Sequence, residues 1–173
     1  MTFKRWIPTF LGFPIGGLLA LLTIGELQDP ATAAAGGLLA GAVIGGGQWL
    51  ALRSEGIGRR WIASTAVAMG AGAAAAAGVT GAGTELGDLV VSGIVTGAVV
   101  GAAQSALLGS GRLAWTALTA ASWGLGWLVS ATVLAQQADS GFYVFGSSGA
   151  IVVTVLTGLA LRRLLAVRPA VVA

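Results

Sequence analysis

Six long runs of apolar residues, each free of charge until its last turn or beyond, take up most of this chain. They cover approximately residues 6–27, 32–52, 61–83, 89–108, 114–134 and 143–165. A helix that crosses a hydrocarbon core of about 30 Å needs roughly 20 apolar residues, and each run reaches that length. Strands of a membrane barrel would instead alternate polar and apolar residues over about ten positions. The sequence therefore predicts an all-α integral membrane protein with six transmembrane helices.

The composition excludes a soluble domain and several kinds of chemistry. Charged residues make up 9% of the 173 residues, against about 25% in soluble domains. The chain has no Cys and no His, which excludes disulfides, thiol catalysis, Cys/His zinc sites and His-ligated haem. No charged residue lies in the middle of a run, so a proton relay has no group to act through. We expect no enzymatic activity, no metal site, no nucleic-acid partner and no cofactor other than a bound lipid.

The charged residues divide between the two ends of the predicted helices. Nine basic residues and Glu55 fall at the N-terminus, in the second and fourth loops or at the C-terminus, where they give +8. Five acidic residues fall in the first, third and fifth loops, where they give −5: Glu26, Asp29, Glu85, Asp88 and Asp139. We call these the basic end and the acidic end. Because cytoplasmic loops carry the excess of Lys and Arg, both termini are predicted to be cytoplasmic.

The first run also has features of a cleaved signal peptide. Lys4 and Arg5 precede it, and residues 31–33 (Ala-Thr-Ala) resemble a cleavage site. However, the run exceeds the roughly 7–15 residues of a signal-peptide core. We therefore expect it to remain as a transmembrane helix.

Residue patterns recur along the chain at intervals of about 55 residues. The second and fourth helices each carry three glycines spaced four apart and then a glutamine: Gly37, Gly41, Gly45 and Gln48, and Gly93, Gly97, Gly101 and Gln104. The sixth helix has Ala150, Thr154, Thr157 and Gly158 in the corresponding stretch. We predict one transmembrane domain, residues 1–173, built from three helical hairpins at approximately 1–56, 57–110 and 111–173.

The glycine stripes are predicted to pack helices together. Small residues at every fourth position let helix backbones approach closely, and such contacts drive helix association in lipid. We expect these stripes, with Gly158 on the sixth helix, to pack the even-numbered helices around a pseudo-threefold core. The alternative is a close-fitting surface for a lipid, a pigment or a partner helix.

Three polar residues lie on the inward face of the even-numbered helices. Gln48 and Gln104 each follow the last glycine of their stripe by three residues, and Thr157 is their counterpart. A buried amide in lipid is costly unless it is hydrogen-bonded. We expect interhelical hydrogen bonds among the three residues, with a polar constriction or ligand site as the alternative.

Tryptophan and the outer acidic residues lead to further expectations. Trp6, Trp61 and Trp115 open the odd-numbered helices, where an interfacial belt would place them. Trp123 and Trp127 are expected to face lipid or a partner.

Asp29, Asp88 and Asp139 precede helices and are expected to cap them. Glu26 and Glu85 lie where the dipole of the preceding helix disfavours them, so they would reach back to the next helix or pair with a partner. A Ca²⁺ site is the alternative.

The motif residues resemble those of repeat-bearing bacterial membrane proteins from cyanobacteria and Chloroflexi. The resemblance is carried by the motif residues Gln48, Trp49, Arg53, Thr157, Gly158, Leu161 and Arg162. The second copy departs from the pattern, with Ser105 and Gly109 in place of the Trp and the Arg. The resemblance implies Gly-rich hairpin repeats and no particular activity.

These features favour a non-catalytic accessory or scaffold subunit of a larger membrane complex, of respiratory or photosynthetic type. Its partners would be membrane lipids and other transmembrane subunits, in the bacterial cytoplasmic membrane or a photosynthetic membrane. A small channel or solute carrier along the pseudo-threefold axis is the first alternative. A lipid-binding or membrane-shaping protein is the second.

Overall fold

The computed structural model describes residues 3–108, 111–134 and 147–166, most of which are helical. Six long helices follow one another: α1 (Phe3–Ile24), α2 (Pro30–Leu52), α3 (Arg60–Thr80), α4 (Leu86–Leu108), α5 (Arg112–Leu134) and α6 (Ser147–Ala166). No strand occurs in these three ranges. The predicted all-helical fold class is therefore confirmed for this part of the chain.

The first helix changes its winding near the basic end. An α-helical turn, Phe3–Trp6, leads through a 3-10 stretch, Ile7–Leu11, into the α-helix Gly12–Ile24. Pro8 and Pro14 lack the backbone N–H that regular α-helical bonding requires, so the tighter winding falls where that bonding is interrupted. The helix ends at Gly25, whose φ of 88° favours glycine.

Among the described residues, five helices are long and apolar enough to cross a membrane, as a membrane protein requires. They are Phe3–Ile24, Pro30–Glu55, Arg60–Thr80, Leu86–Leu108 and Ser148–Ala166. The remaining helix, α5, is 23 residues long and is not among these five. Its transmembrane assignment stays a prediction.

The six helices form a ring around a shared core. Each long helix contacts the next one along the chain, and α6 returns to contact α1, mainly through residues 3–11. Side chains from all six helices meet inside the ring, and we call them the central cluster: Phe13, Ala40, Ile44, Ala68, Met69, Val100, Trp123, Ala150 and Val153. The ring is therefore filled at this level.

The glycine stripe of α2 packs against α3. A Cβ atom added to Gly37 would lie 2.7 Å from the Met69 carbonyl oxygen, and one added to Gly41 would lie 2.9 Å from the Ala66 Cα. Gly45 approaches the Ile62 Cα in the same way, at 3.2 Å. We expected the stripes to join even-numbered helices to one another, and the structure corrects the partner to the following odd-numbered helix.

The contacts of α4 on α5 follow the same order as those of α2 on α3. A Cβ atom added to Gly93 would lie 2.7 Å from the Trp123 carbonyl oxygen, and one added to Gly97 would lie 3.0 Å from the Ala120 Cα. Gly101 approaches the Thr116 Cα, at 2.9 Å. Glycine is required at both stripes because backbone atoms, which cannot rotate away, occupy the space of a side chain.

The second glycine of α6, Gly158, faces α1, whereas Gly149 faces Gly126 and Ser130 of α5. A Cβ atom added to Gly158 would contact the Trp6 indole and would lie 3.0 Å from the Phe3 ring. Gly158 thus faces α1, just as the glycine stripes of α2 and α4 face the odd-numbered helix that follows each of them.

Candidate functional site

The three tryptophans that open the odd-numbered helices are buried in the protein. Trp6, Trp61 and Trp115 are each at most 1% exposed. They belong to a second cluster, which we call the basic-end cluster: Trp6, Ala51, Leu52, Ile57, Trp61, Leu108, Trp115 and Leu161. The prediction of an interfacial belt is wrong for these indoles, because they fill the space between helices, as where Trp6 packs on Gly158.

The tryptophans of α5 also lie further inside than the sequence predicts. Trp123 is 6% exposed, and its ring centroid lies 5.5 Å from that of Phe13 at an interplanar angle of 59°. Tilted aromatic pairs at this distance are favourable. Trp127 is half-buried and lines a cavity. The expectation that both face lipid or a partner is therefore wrong for Trp123.

Four buried polar side chains from α2, α3 and α4 form a hydrogen-bonded group, which we call the polar cluster. Gln104 Nε2 donates to Gln48 Oε1 and to Thr65 Oγ1, both at 3.0 Å. Trp61 Nε1 donates to the same Gln48 oxygen at 3.0 Å. Gln104 and Thr65 are at most 1% exposed. These bonds offset the cost of burying the amides and join three helices.

Thr157 is not part of the polar cluster. Its hydroxyl donates to the Val153 carbonyl of its own helix at 2.6 Å. The predicted group of two glutamines and Thr157 therefore requires correction, because a threonine on a helix has a carbonyl of the preceding turn within reach. Thr65 takes the place that we assigned to Thr157.

The three indole N–H groups of the basic-end cluster meet different surroundings. Trp61 donates to Gln48, whereas Trp6 donates to the Thr154 carbonyl oxygen of α6 at 2.9 Å. Trp115 Nε1 is buried without a hydrogen-bond partner in the described part of the chain.

None of the groups in the polar cluster titrates near neutral pH, so the arrangement holds helices together and offers no acid or base.

Asp29 caps α2 at the acidic end. Its side chain accepts hydrogen bonds from the Ala31 and Thr32 backbone N–H groups at 2.7 and 2.9 Å, and its own N–H donates to Thr32 Oγ1 at 3.2 Å. The bonds from Thr32 and Ala31 hold the pKa of Asp29 below its usual value of 3.8, because they favour the charged carboxylate. The predicted N-cap is present here.

The other acidic residues differ from the predicted arrangement. We expected Asp88 to cap α4 and Glu85 to lie at the end of α3. Instead, Asp88 lies within the first turn of α4 and Glu85 immediately precedes that helix, so both predictions are wrong. Both carboxylates stand near a helix N-terminus, where the dipole favours negative charge. Glu26 accepts a hydrogen bond from Gln28 Nε2 at 2.6 Å. Asp139 lies outside the described residues. Among the residues that the structure describes, no group of three acidic side chains could hold a metal ion.

A cavity of about 700 Å³ lies in the acidic half of the ring. Its wall consists largely of small residues from α2 and α3: Ala33, Gly36, Gly37, Ala40, Ala73, Ala76 and Ala77. Trp123 and Trp127 contribute aromatic surface, and Glu26, Gln28 and Thr84 come from the loops. Trp123, Met69 and Ala40 also belong to the central cluster, so the cavity ends where the core begins.

Comparison with protein families, with curated proteins and with solved structures finds no match for this chain. Sequence reasoning missed Trp61 and Thr65 as partners of the glutamines, although their spacing of four residues on α3 places them on one helix face. It also missed the cavity, for which the run of alanines in α3 was the available signal.

Proposed function

We propose that the chain is a single membrane domain of six transmembrane helices, arranged as three hairpins of one plan, with both termini cytoplasmic. Two observations support this proposal. The glycine contacts of α2 on α3 and of α4 on α5 occur in the same order, and α6 faces α1 in the corresponding way. The kinship with repeat-bearing bacterial membrane proteins belongs to the same proposal and rests on the motif residues alone.

Within this frame, the chain would act as a non-catalytic accessory or scaffold subunit of a respiratory or photosynthetic membrane complex. The supporting observation is the outer face of α3, where three alanines and a valine are exposed at every fourth position: Ala63, Val67, Ala71 and Ala75. A stripe that consists mainly of small residues on the outside of a ring suits close contact with another transmembrane helix. The interior, by contrast, has its amides bonded to one another and its centre filled.

A single substitution on this outer face tests the scaffold function. Ala71→Leu should leave the melting temperature of the isolated chain unchanged, because the residue is exposed, and should release a co-purifying subunit during mild detergent extraction. Ala121→Leu, an exposed alanine on α5, is the matched control and should retain that subunit. Native mass spectrometry of both preparations reads the result, and equal retention would contradict docking on α3.

The channel or carrier alternative receives less support from the geometry. A path along the ring axis would have to pass the central cluster, where Ala150 is 0% exposed and Ile44 and Val153 are each 2% exposed. The polar cluster beyond it is bonded internally. Transport along the axis would therefore need rearrangement of the core itself.

The lipid-binding alternative is favoured by the cavity at the acidic end. Its wall of alanine and glycine with two indoles suits a hydrocarbon chain. Ala73→Leu and Ala77→Leu, which narrow the cavity, should reduce the mass of lipid that native mass spectrometry finds on the purified chain. Retention of the same lipid mass by both variants would rule out this location.

A further inference from the structure

A second pocket, of about 480 Å³, lies at the basic end between α1 and α2. Two guanidinium groups and two hydroxyls combine there with apolar surface: Arg5, Pro8, Thr9, Gly47, Leu50, Ala51, Arg53 and Ser54. None of these described lining residues is a carboxylate, and Glu55, the one acidic residue assigned to this end, is not among them. The pocket is therefore positively charged at its rim and apolar deeper in.

The two arginines are held at the rim by local structure. Arg53 and Ser54 lie in the 3-10 turn Arg53–Glu55 that directly follows α2. Arg5 Nη1 donates to Ser54 Oγ at 3.1 Å, which ties the start of α1 to that turn. Both guanidinium groups belong to exposed residues, so they remain accessible to a ligand.

Thr9 supplies a buried hydroxyl that has no hydrogen-bond partner. Thr9 is 5% exposed, and its Oγ1 makes no hydrogen bond within the described residues. Several helical threonines donate to a carbonyl four residues earlier, as Thr80 does to Ala76. Thr9, which lies in the 3-10 stretch Ile7–Leu11, makes no such bond. Ser130 and Thr154 also lack partners, but only Thr9 lines this pocket.

We propose that this pocket binds the phosphodiester headgroup of an anionic phospholipid from the leaflet at the basic end. Planar guanidinium groups match phosphate oxygens in charge and geometry, so Arg5 and Arg53 would hold the phosphate. The Thr9 hydroxyl, which has no exposed surface in the lipid-free protein, would donate to an ester or phosphate oxygen once its side chain turns into the pocket. An acyl chain would lie along Leu50 and Gly47. The space beside Gly47 is open, because a Cβ atom added to Gly47 would meet no atom within 4 Å.

This proposal differs from general attraction between basic residues and a charged membrane. General attraction acts on each basic residue near the surface to a similar extent. A built site instead depends on the two arginines that line the pocket and on a neutral hydroxyl. Two double variants provide the matched comparison. Arg5→Gln/Arg53→Gln changes the pocket, whereas Arg60→Gln/Arg112→Gln removes the same charge from exposed residues outside the pocket.

The full-length chain in mild detergent is titrated with dioleoylphosphatidylglycerol, with dioleoylphosphatidylcholine and with inorganic phosphate, and binding is read by native mass spectrometry. We expect phosphatidylglycerol to bind the wild type and the Arg60/Arg112 variant alike. The Arg5/Arg53 variant should bind it about tenfold more weakly. Phosphatidylcholine should bind more weakly than phosphatidylglycerol. Equal loss in both double variants would overturn the site, and arginine-dependent binding of inorganic phosphate without lipid would overturn the lipid as its occupant.

A second variant keeps the test decisive if the double arginine change disturbs folding. Thr9→Val preserves the side-chain shape and removes only the hydroxyl, so the lipid-free melting temperature should stay the same or rise. Phosphatidylglycerol binding should fall about threefold, as expected for loss of one hydrogen bond. Unchanged binding by Thr9→Val together with unchanged binding by the single variant Arg53→Gln would contradict the proposal.

Discussion

At the basic end of the ring, Trp61, Leu52 and Leu161 are 0% exposed, whereas at the acidic end residues of α1 to α5 surround a cavity of about 700 Å³. The difference follows from side-chain size. Large indoles and leucines occupy the interior at the basic end, and alanines and glycines line it at the acidic end. Because the ring contact between α6 and α1 is made mainly by residues 3–11, the contact that closes the ring also lies at the basic end.

The comparison shows that small residues have two opposite effects in this protein. Where a glycine faces a neighbouring backbone, as Gly41 faces Ala66, it brings helices together. Where an alanine faces the interior beyond the reach of a large side chain, as Ala76 does, it leaves space. The first two of the four predictions below test this distinction, and all four run from the largest expected effect to the smallest.

Gly41→Leu and Gly97→Leu should each lower the free energy of unfolding by at least the roughly 1–3 kcal/mol that overpacking costs in an ordinary core. The added side chain would meet the Ala66 Cα or the Thr119 carbonyl oxygen, at 2.9 and 2.8 Å from the Cβ position. Ala35→Leu, at an exposed position of α2, is the control. Thermal unfolding in mild detergent measures the effect, and equal tolerance at the three positions would mean that the stripes do not pack.

Ala150→Leu and Ala76→Leu compare the filled core with the cavity. Ala150 is 0% exposed within the central cluster, and Ala76 is 3% exposed but lines the cavity. The first change should cost about 1–2 kcal/mol in free energy of unfolding, as overpacking does. The second should cost less than about 1 kcal/mol or be neutral, because space is available. If the two variants melted alike, the acidic half would be as tightly filled as the core.

Gln48→Leu should destabilise the protein more than Gln104→Leu, by about 1 kcal/mol. Each change removes two hydrogen bonds of the polar cluster. Gln48→Leu leaves the buried Trp61 N–H without an acceptor, whereas Gln104→Leu leaves the Trp61 bond intact and the Thr65 hydroxyl free to donate to a carbonyl of its own helix. The double variant should be no less stable than Gln48→Leu alone. Melting temperatures in detergent give the order of the three.

The double variant also separates the scaffold from the channel. It should remain folded and keep any co-purifying subunit if the amides only join helices. Proteoliposomes that contain the wild type or the double variant are compared for ion and glycerol flux. A folded double variant that has lost a flux present in the wild type would overturn the scaffold proposal.

Asp29→Ala should have the smallest effect, and that effect should depend on pH. The pKa of Asp29 is lowered in the folded protein, so its stabilising effect is present above 3.8, the usual pKa, and is lost as the pH falls through the lowered value. The wild type should melt slightly higher than the variant at pH 6, and the difference should shrink below 3.8. A difference that persisted unchanged at low pH would mean that the carboxylate charge is not involved.

The helices and the pair of glutamines were predictable from the sequence, because charge gaps mark long helices and a three-residue spacing places Gln48 on the face of its glycines. The choice of packing partner was not, since the Gly37 stripe shows that one face is small and does not show which helix will meet it. The burial of Trp6 was not predictable for a related reason. An indole has an apolar body and one donor, so it suits a membrane surface and a buried contact equally well.

The cavity and the role of Thr157 depended on three-dimensional detail. Cavity volume reflects how far helix backbones diverge, and alanines such as Ala73 and Ala77 are compatible with either close or distant neighbours. A threonine hydroxyl can bond its own helix, as Thr157 bonds Val153, and a glutamine is too long to do this as easily. This difference explains why Thr157 bonds its own helix and why Thr65, not Thr157, bonds the glutamines.

The hydrogen bond from Trp6 to Thr154 joins residues 148 positions apart, which has a consequence for biosynthesis. Chains are synthesised at about 5–20 residues per second, so the indole of α1 waits roughly 7–30 s for its acceptor to leave the ribosome. During that interval the inner face of the first helix has no permanent neighbour from α6. The insertion machinery or lipid must cover it, and a chain that ends before α6 would keep this face uncovered and become a substrate for membrane proteases.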